Sequence, residues 1–198
     1  MKTFIQWLEM AMFGNDDEEE YNGSEHGDDT GWTDEETEDG DQFWGSAGAG
    51  VLPICTSTGN ILVQFRSGSV DQGHTWGTIG GALRGEHLRM MQKGNEAGAF
   101  QAAAMEEFQE EIGSARVGKV QLVPAYQFKK GTFKYQNFLG LIGEEFQPKR
   151  TWEADGYEWV SFDELIELEP KHFGLKALID NSGQQIRQVC ERGKRKRA

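Results

Sequence analysis

The sequence predicts an α/β domain, on three observations. Apolar residues repeat at helical spacing from Asn95 to Ile112, strand-like runs flank turn signals on both sides of that helix, and a strand ends in a helix-capping box at Ser161-Phe162-Asp163-Glu164.

In chain order, residues 1–14, MKTFIQWLEMAMFG, place Phe4, Trp7, Leu8, Ala11 and Met12 on one helical face. The segment is too short to span a bilayer, and Gln6 and Glu9 interrupt a signal-peptide core, so no membrane role is expected. The face either docks back on the domain or fits a partner groove. Residues 15–41 follow as an acidic linker. Between Asp16 and Asp41 lie fourteen Asp or Glu and no Lys or Arg, so the net charge of −13 belongs to this block and the remainder stands near neutrality. Such a run buries too little apolar surface to offset its ordering entropy, and disorder is expected.

The globular domain is expected over residues 42–182. Gly48 to Cys55 reads as a buried strand, Thr56 to Asn60 as a turn and Ile61 to Phe65 as the neighbouring strand. Gly80-Gly81 marks a turn, and Arg84 to Lys93 reads as a polar insertion or a basic lid over phosphates. In the helix, with Asn95 as N-cap and Gly113 as its stop, Phe100, Ala104, Phe108 and Ile112 form the core-facing stripe. Glu107, Glu110 and Glu111 fall together on its rim. Like charges there repel, and two of them face the negative end of the helix dipole, a cost of about 0.3–1 kcal/mol each. A hard divalent cation such as Mg²⁺ or Mn²⁺ reverses both effects, because carboxylate oxygens hold it and phosphates fill its remaining positions.

Val120 to Phe128 and Thr132 to Ile142 read as two strands joined at Lys129-Lys130-Gly131. Lys129, Lys130 and Lys134 are generic hairpin-tip lysines or phosphate neutralisers, and Tyr126, Phe128 and Tyr135 are core aromatics or base-stacking groups. Tyr157 to Val160 is a strand running into the capped helix, and His172 to Arg192 is weakly helical. Residues 183–198 are read as a basic tail ending in RGKRKRA, which invites self-association with the acidic linker, within one chain or in a homodimer. No nucleic-acid motif accompanies it. Two cysteines without a secretion signal suit the cytoplasm, and the four histidines lack metal-ligand spacing. Serine-nucleophile and Walker-type motifs are absent.

Gly80-Gly81 followed by AAMEEFQEEIG from Ala103 to Gly113 resembles the Nudix box, G-x5-E-x7-R-E-U-x-E-E-x-G-U, where U is bulky and aliphatic. Glu107 matches the glutamate of R-E-U, and Glu110 and Glu111 match the E-E pair. The closing segment, with Glu153 before a W-V strand end and a D/E-E-L helix, also looks like this family. Three departures stand out. Glu106 occupies the arginine position, Ser114 the closing aliphatic position, and Ile79 the place where proline commonly precedes the glycines. The loop is also long: Glu86 keeps the G-x5-E spacing, while nine residues rather than seven separate Glu96 from Glu106. In the family that arginine pairs with a box carboxylate and orients it, so its absence implies either altered metal affinity or another cation in its place, with Arg84 and Arg89 as candidates.

The resemblance implies a Nudix-type α/β/α sandwich with a mixed β-sheet and hydrolysis of a pyrophosphate bond in a nucleoside diphosphate linked to another group. Glu107, Glu110 and Glu111 would hold Mg²⁺ or Mn²⁺, Gly80 and Gly81 would shape the phosphate-binding turn, and Glu86, Glu96 or Glu153 would complete the shell or act as base. Nucleotide sugars, dinucleoside polyphosphates, oxidised nucleoside triphosphates, ADP-ribose, NADH and capped RNA all stay open as substrates. The alternative is a non-catalytic nucleotide-binding or scaffold module with a degenerate box.

Overall fold

The computed structural model describes residues 34–36, 42–44, 47–112 and 117–195. The expected N-terminal helix, the Gly113 helix stop and most of the acidic linker lie outside them. Where the linker is expected to be disordered throughout, its Asp34–Glu36 stretch forms β1, which pairs antiparallel with β2 (Gln42–Trp44) at the start of the expected domain.

The remaining strands form one seven-stranded sheet. They are β3 (Ala47–Cys55), β4 (Ile61–Arg66), β5 (Trp76–Gly77), β6 (Ile79–Ala82), β7 (Gln121–Lys130), β8 (Phe133–Ile142) and β9 (Ala154–Val160). β3 runs parallel to β8 from Ala47 opposite Lys134 to Cys55 opposite Ile142, whereas its pairing with β4 and β6 is antiparallel. β9 pairs with the other edge of β4. The sheet is therefore mixed.

Every residue of β3 is buried, as a strand covered on both faces requires. Its side chains alternate between two cores. Leu52 and Ile54 join Ile61, Val63, Leu139 and Leu141 on one side, under α3 (Phe162–Glu167) and α4 (Phe173–Arg195). Ala47, Ala49 and Val51 join Leu62 and Phe138 on the other, under α2 (Glu96–Ile112). This is the expected α/β/α sandwich.

Local chemistry accounts for the helix ends. Asn95 caps α2 through its Oδ1, which accepts the Gly98 N–H at 3.2 Å. The expected stripe of Phe100, Ala104, Phe108 and Ile112 is buried, with Ala99 and Ala103 beside it, so α2 lies close against the sheet. Ser161 and Glu164 form a reciprocal capping box at the start of α3.

Two elements differ from expectation. The polar stretch after Gly81 forms a helix, α1 (Gly85–Gln92), rather than a loop; Leu88, Met90 and Met91 pack partly against the α2-side core. The C-terminal helix runs without a break past the expected tail boundary at 182. Ile186, Val189 and Cys190 continue its apolar stripe and are buried in the core, so the basic end begins only after this packed segment. Cys55 and Cys190 are both buried and unbridged. Among the described residues, no helix is long and apolar enough to cross a membrane.

Candidate active site

Gly80 and Gly81 lie within β6, opposite Gly50 and Ala49 of β3, and not in the turn expected of them. The strand is nevertheless unusual. A Cβ on Gly80, whose φ is +156°, would stand 2.4 Å from both the Ala49 carbonyl oxygen and the Gly50 Cα. A Cβ on Gly81 would stand 2.6 Å from Glu107 Oε2. The first glycine lets two backbones meet; the second admits a carboxylate against the strand.

That carboxylate comes from the final turns of α2, where Glu107 and Glu111 are buried and Glu110 is exposed. The rim expected from helical periodicity is thus pressed onto the sheet for two of its three members. Glu111 Oε1 accepts the Gly80 N–H at 2.9 Å, while its Oε2 is buried without a hydrogen-bond partner. Tyr157 donates its hydroxyl to the Glu111 carbonyl at 3.1 Å, fastening the end of α2 to β9.

Burial controls the charge of these groups. Desolvation raises the Glu111 carboxyl to about 8; Glu153 and Glu107 push the same way, and the Gly80 N–H and the Gln64 side chain oppose them. Desolvation likewise raises Glu107 to about 7, with Arg84 opposing and Glu110, Glu153 and Glu106 adding to the rise. Tyr135, whose ring lies against Gly48, Gly50 and Gly80, has its hydroxyl pushed well up by burial and then by Glu111 and Glu107. Its contacts are with the sheet floor.

One cation answers the carboxylates. Arg84, the residue before α1, places Nη2 3.2 Å from Glu107 Oε1 and Nη1 3.7 Å from Glu110 Oε2. Glu106, at the box arginine position, faces His87 Nε2 of α1 at 3.0 Å. The two contacts join α1 to α2.

The three candidates for a further carboxylate separate clearly. Glu153, in the turn before β9, acts electrostatically on both Glu107 and Glu111. Its backbone is fixed by the Ser67 N–H, which donates to the Glu153 carbonyl at 2.9 Å. Glu96 starts α2 and is paired with Lys134 at 2.8 Å. Eleven residues of helix rise put it roughly 16 Å from Glu107, away from the cluster. Glu86 is exposed in the first turn of α1. Gln64, buried on β4 with its Oε1 lacking a partner, was missed in the sequence because a lone glutamine in a strand carries no motif.

Among the described residues, no three His, Cys, Asp or Glu side chains are gathered as a preformed cation cluster. Glu107 leans on Arg84 and Glu111 on Gly80, so their oxygens do not yet converge. The donor set still suits a hard divalent ion. It offers carboxylate oxygens whose mutual repulsion an ion would relieve, and in Glu111 Oε2 a buried acceptor without a donor.

A mixed sheet between helices, with a glycine strand bonded to one carboxylate of an acidic helix and closely approached by a second, defines a class of α/β sandwich. The chain belongs to the Nudix family: the NUDIX domain model matches residues 46–181. The Nudix hydrolase RenU from M. smegmatis is similar at 26% identity and a TM-score of 0.56, over 81% of this chain and 94% of that one. A Nudix protein from Listeria monocytogenes shares the fold at 15% identity and a TM-score of 0.50, over 71% of this chain and 94% of the other. No curated protein sequence matches the chain.

Proposed function

We propose that the protein is a metal-dependent hydrolase that cleaves a pyrophosphate bond in a nucleoside diphosphate linked to another group. The observation that carries this reading is the buried pair Glu107 and Glu111, held against a glycine strand with one oxygen unpartnered. Burying two carboxylates side by side destabilises the fold, and a cationic ligand removes that penalty. Family membership and the hydrolase neighbour support the same class of activity.

Glu107, Glu110 and Glu111 would hold Mg²⁺ or Mn²⁺. Bound there, the ion supplies charge neutralisation on the diphosphate and acidifies the attacking water. Hydrolysis forms a bond from water oxygen to one phosphorus and breaks that phosphorus's bond to the bridging oxygen, which leaves with the second phosphate. The proton lost by water passes to a carboxylate, a role we assign to Glu153 because its charge acts on both buried glutamates. Gly80 fixes Glu111 through its N–H, and Gly81 leaves room for Glu107.

The test incubates the protein with Mg²⁺ or Mn²⁺ and a panel of nucleotide sugars, dinucleoside polyphosphates and ADP-ribose, with Glu111→Gln alongside. Cleavage by wild type and its loss in the mutant are expected. Equal turnover in both would sink the assignment. A second reading, a nucleotide-binding module without turnover, is favoured by Glu106 at the arginine position and its engagement with His87. It predicts stabilisation by metal with no cleavage of any substrate.

A further inference from the structure

We infer that Arg84 is a two-position side chain: counter-ion to Glu107 and Glu110 in the metal-free protein, and a ligand of the substrate's phosphate once a divalent ion has taken those oxygens. The inference rests on the reading of the site as a metal-dependent hydrolase.

The guanidinium pairs with oxygens that would otherwise be open to an ion. Its nitrogens lie 3.2 and 3.7 Å from Glu107 Oε1 and Glu110 Oε2, two of the three carboxylates assigned to the metal. No basic residue lies in the last turn of α2, so the helix supplies no cation of its own at that end. Glu106 next to the pair cannot supply one, and its carboxylate is turned to His87. Arg84 alone therefore bridges the two glutamates among the described residues.

Its attachment allows it to leave. An arginine on α2 would be tied to the helix that carries the glutamates. Arg84 instead follows β6 at the start of α1, on extended backbone with φ −112° and ψ 164°, and its side chain is 58% exposed. Rotation about its side-chain bonds moves the charge without moving either helix. The backbone at β6, pinned through Gly80 to Glu111, keeps the root of the arginine beside the site throughout.

Affinity supplies the direction of the exchange. A divalent ion and a guanidinium on the same oxygens repel, and the carboxylates favour the higher charge density. Released arginine then has a better partner, because its planar fork matches phosphate oxygens in a bidentate fashion. The diphosphate arrives with charge that one divalent ion does not neutralise. One residue thus serves the site before and after loading.

The experiment compares wild type, Arg84→Gln and Arg84→Lys at pH 9, where proton competition for the carboxylates is smallest. Mg²⁺ binding is followed by titration calorimetry without substrate, and kcat and KM are measured with the diphosphate that wild type cleaves. Arg84→Gln is expected to bind Mg²⁺ at least about threefold more tightly, its competitor gone. It should also show KM raised by about tenfold or more with kcat changed far less, the mark of a lost substrate contact. Arg84→Lys should keep Mg²⁺ affinity near wild type while KM still rises, since a point charge cannot make the fork. Weaker Mg²⁺ binding in Arg84→Gln would overturn the inference and make Arg84 a fixed positioning residue for the carboxylates. Unchanged KM would overturn the phosphate half. Wild type that neither binds Mg²⁺ nor cleaves would overturn the hydrolase reading itself, whereas an active wild type with an indifferent Arg84→Gln would sink only the role given to Arg84.

Discussion

Replacing Glu111 by glutamine should stabilise the metal-free protein, and the gain should depend on pH. The folded state raises this carboxyl from 4.5 to about 8, chiefly by burial. The sign follows from proton linkage: between pH 4.5 and about 8 the folded chain holds a proton that the unfolded chain has released. Wild-type stability is therefore fullest below that window and falls as pH rises through it. At about 1.4 kcal/mol per unit, the loss accumulated across this window has an upper bound of about 5 kcal/mol. Glutamine keeps an oxygen for the Gly80 N–H and cannot ionise, so it avoids that loss. For a chain of this size each kcal/mol moves the melting temperature by roughly 2–4 °C. Thermal melts in chelator should accordingly give similar midpoints near pH 4.5 and a mutant higher by roughly 5–15 °C near pH 8. Saturating Mg²⁺ should narrow the gap by raising wild type only. A gap of constant size across pH, or a mutant less stable than wild type at pH 8, would refute the reasoning.

Three further perturbations separate fold from site. Gly80→Ala drives a methyl into the backbone of Ala49 and Gly50 and should cost about 3 kcal/mol in urea denaturation; Gly81→Ala meets only the movable Glu107 carboxylate, so it should cost less stability and more metal affinity. Ser161→Ala removes the capping box of α3 and should lower stability by about 1 kcal/mol, with kcat unchanged. His172 is lowered from 6.5 to about 4 by burial and then by Arg66, so the unfolded chain binds the extra proton between those values and stability falls on acidification through them. Across that window the loss approaches about 3 kcal/mol, and His172→Gln should abolish it in melts at pH 6.5 and 4.

The elements most legible in the sequence are those whose local chemistry and tertiary packing agree. Asn95, the apolar stripe of α2 and the Ser161 to Glu164 box all lie where their side chains predict, because each feature satisfies its own backbone or core. α1 is hidden in the sequence because it is short, begins at Gly85, is followed by Gly94 and has only His87 among its residues buried; its helix depends on packing against α2. β6 was read as a turn because paired glycines usually bend. Here their missing side chains serve close approach to β3 and Glu107, which only the folded arrangement reveals. Glu110 and its neighbours were readable as a motif, whereas the difference in burial between Glu110 and Glu111 was not. Periodicity gives the angle around a helix and leaves open how deeply that angle is sunk. That the charge of Glu153 acts on Glu111 likewise needed the sheet, since residues remote in sequence meet where β9 crosses beside β4.

The parallel pairing of β3 with β8 has a kinetic consequence. Residues 47–55 must find residues 133–142 across the whole chain segment that carries β6, α1 and α2. Such distant pairing closes a long loop before its contacts compensate, which slows folding. The carboxylates of α2, the N–H of Gly80 and the turn bearing Glu153 are brought together only when this central pair and β9 are both docked. On the proposed metal-dependent reading, recovery of Mg²⁺ binding should consequently lag the recovery of helical circular dichroism during refolding, making the ion a reporter of the last assembly step rather than a template for the first.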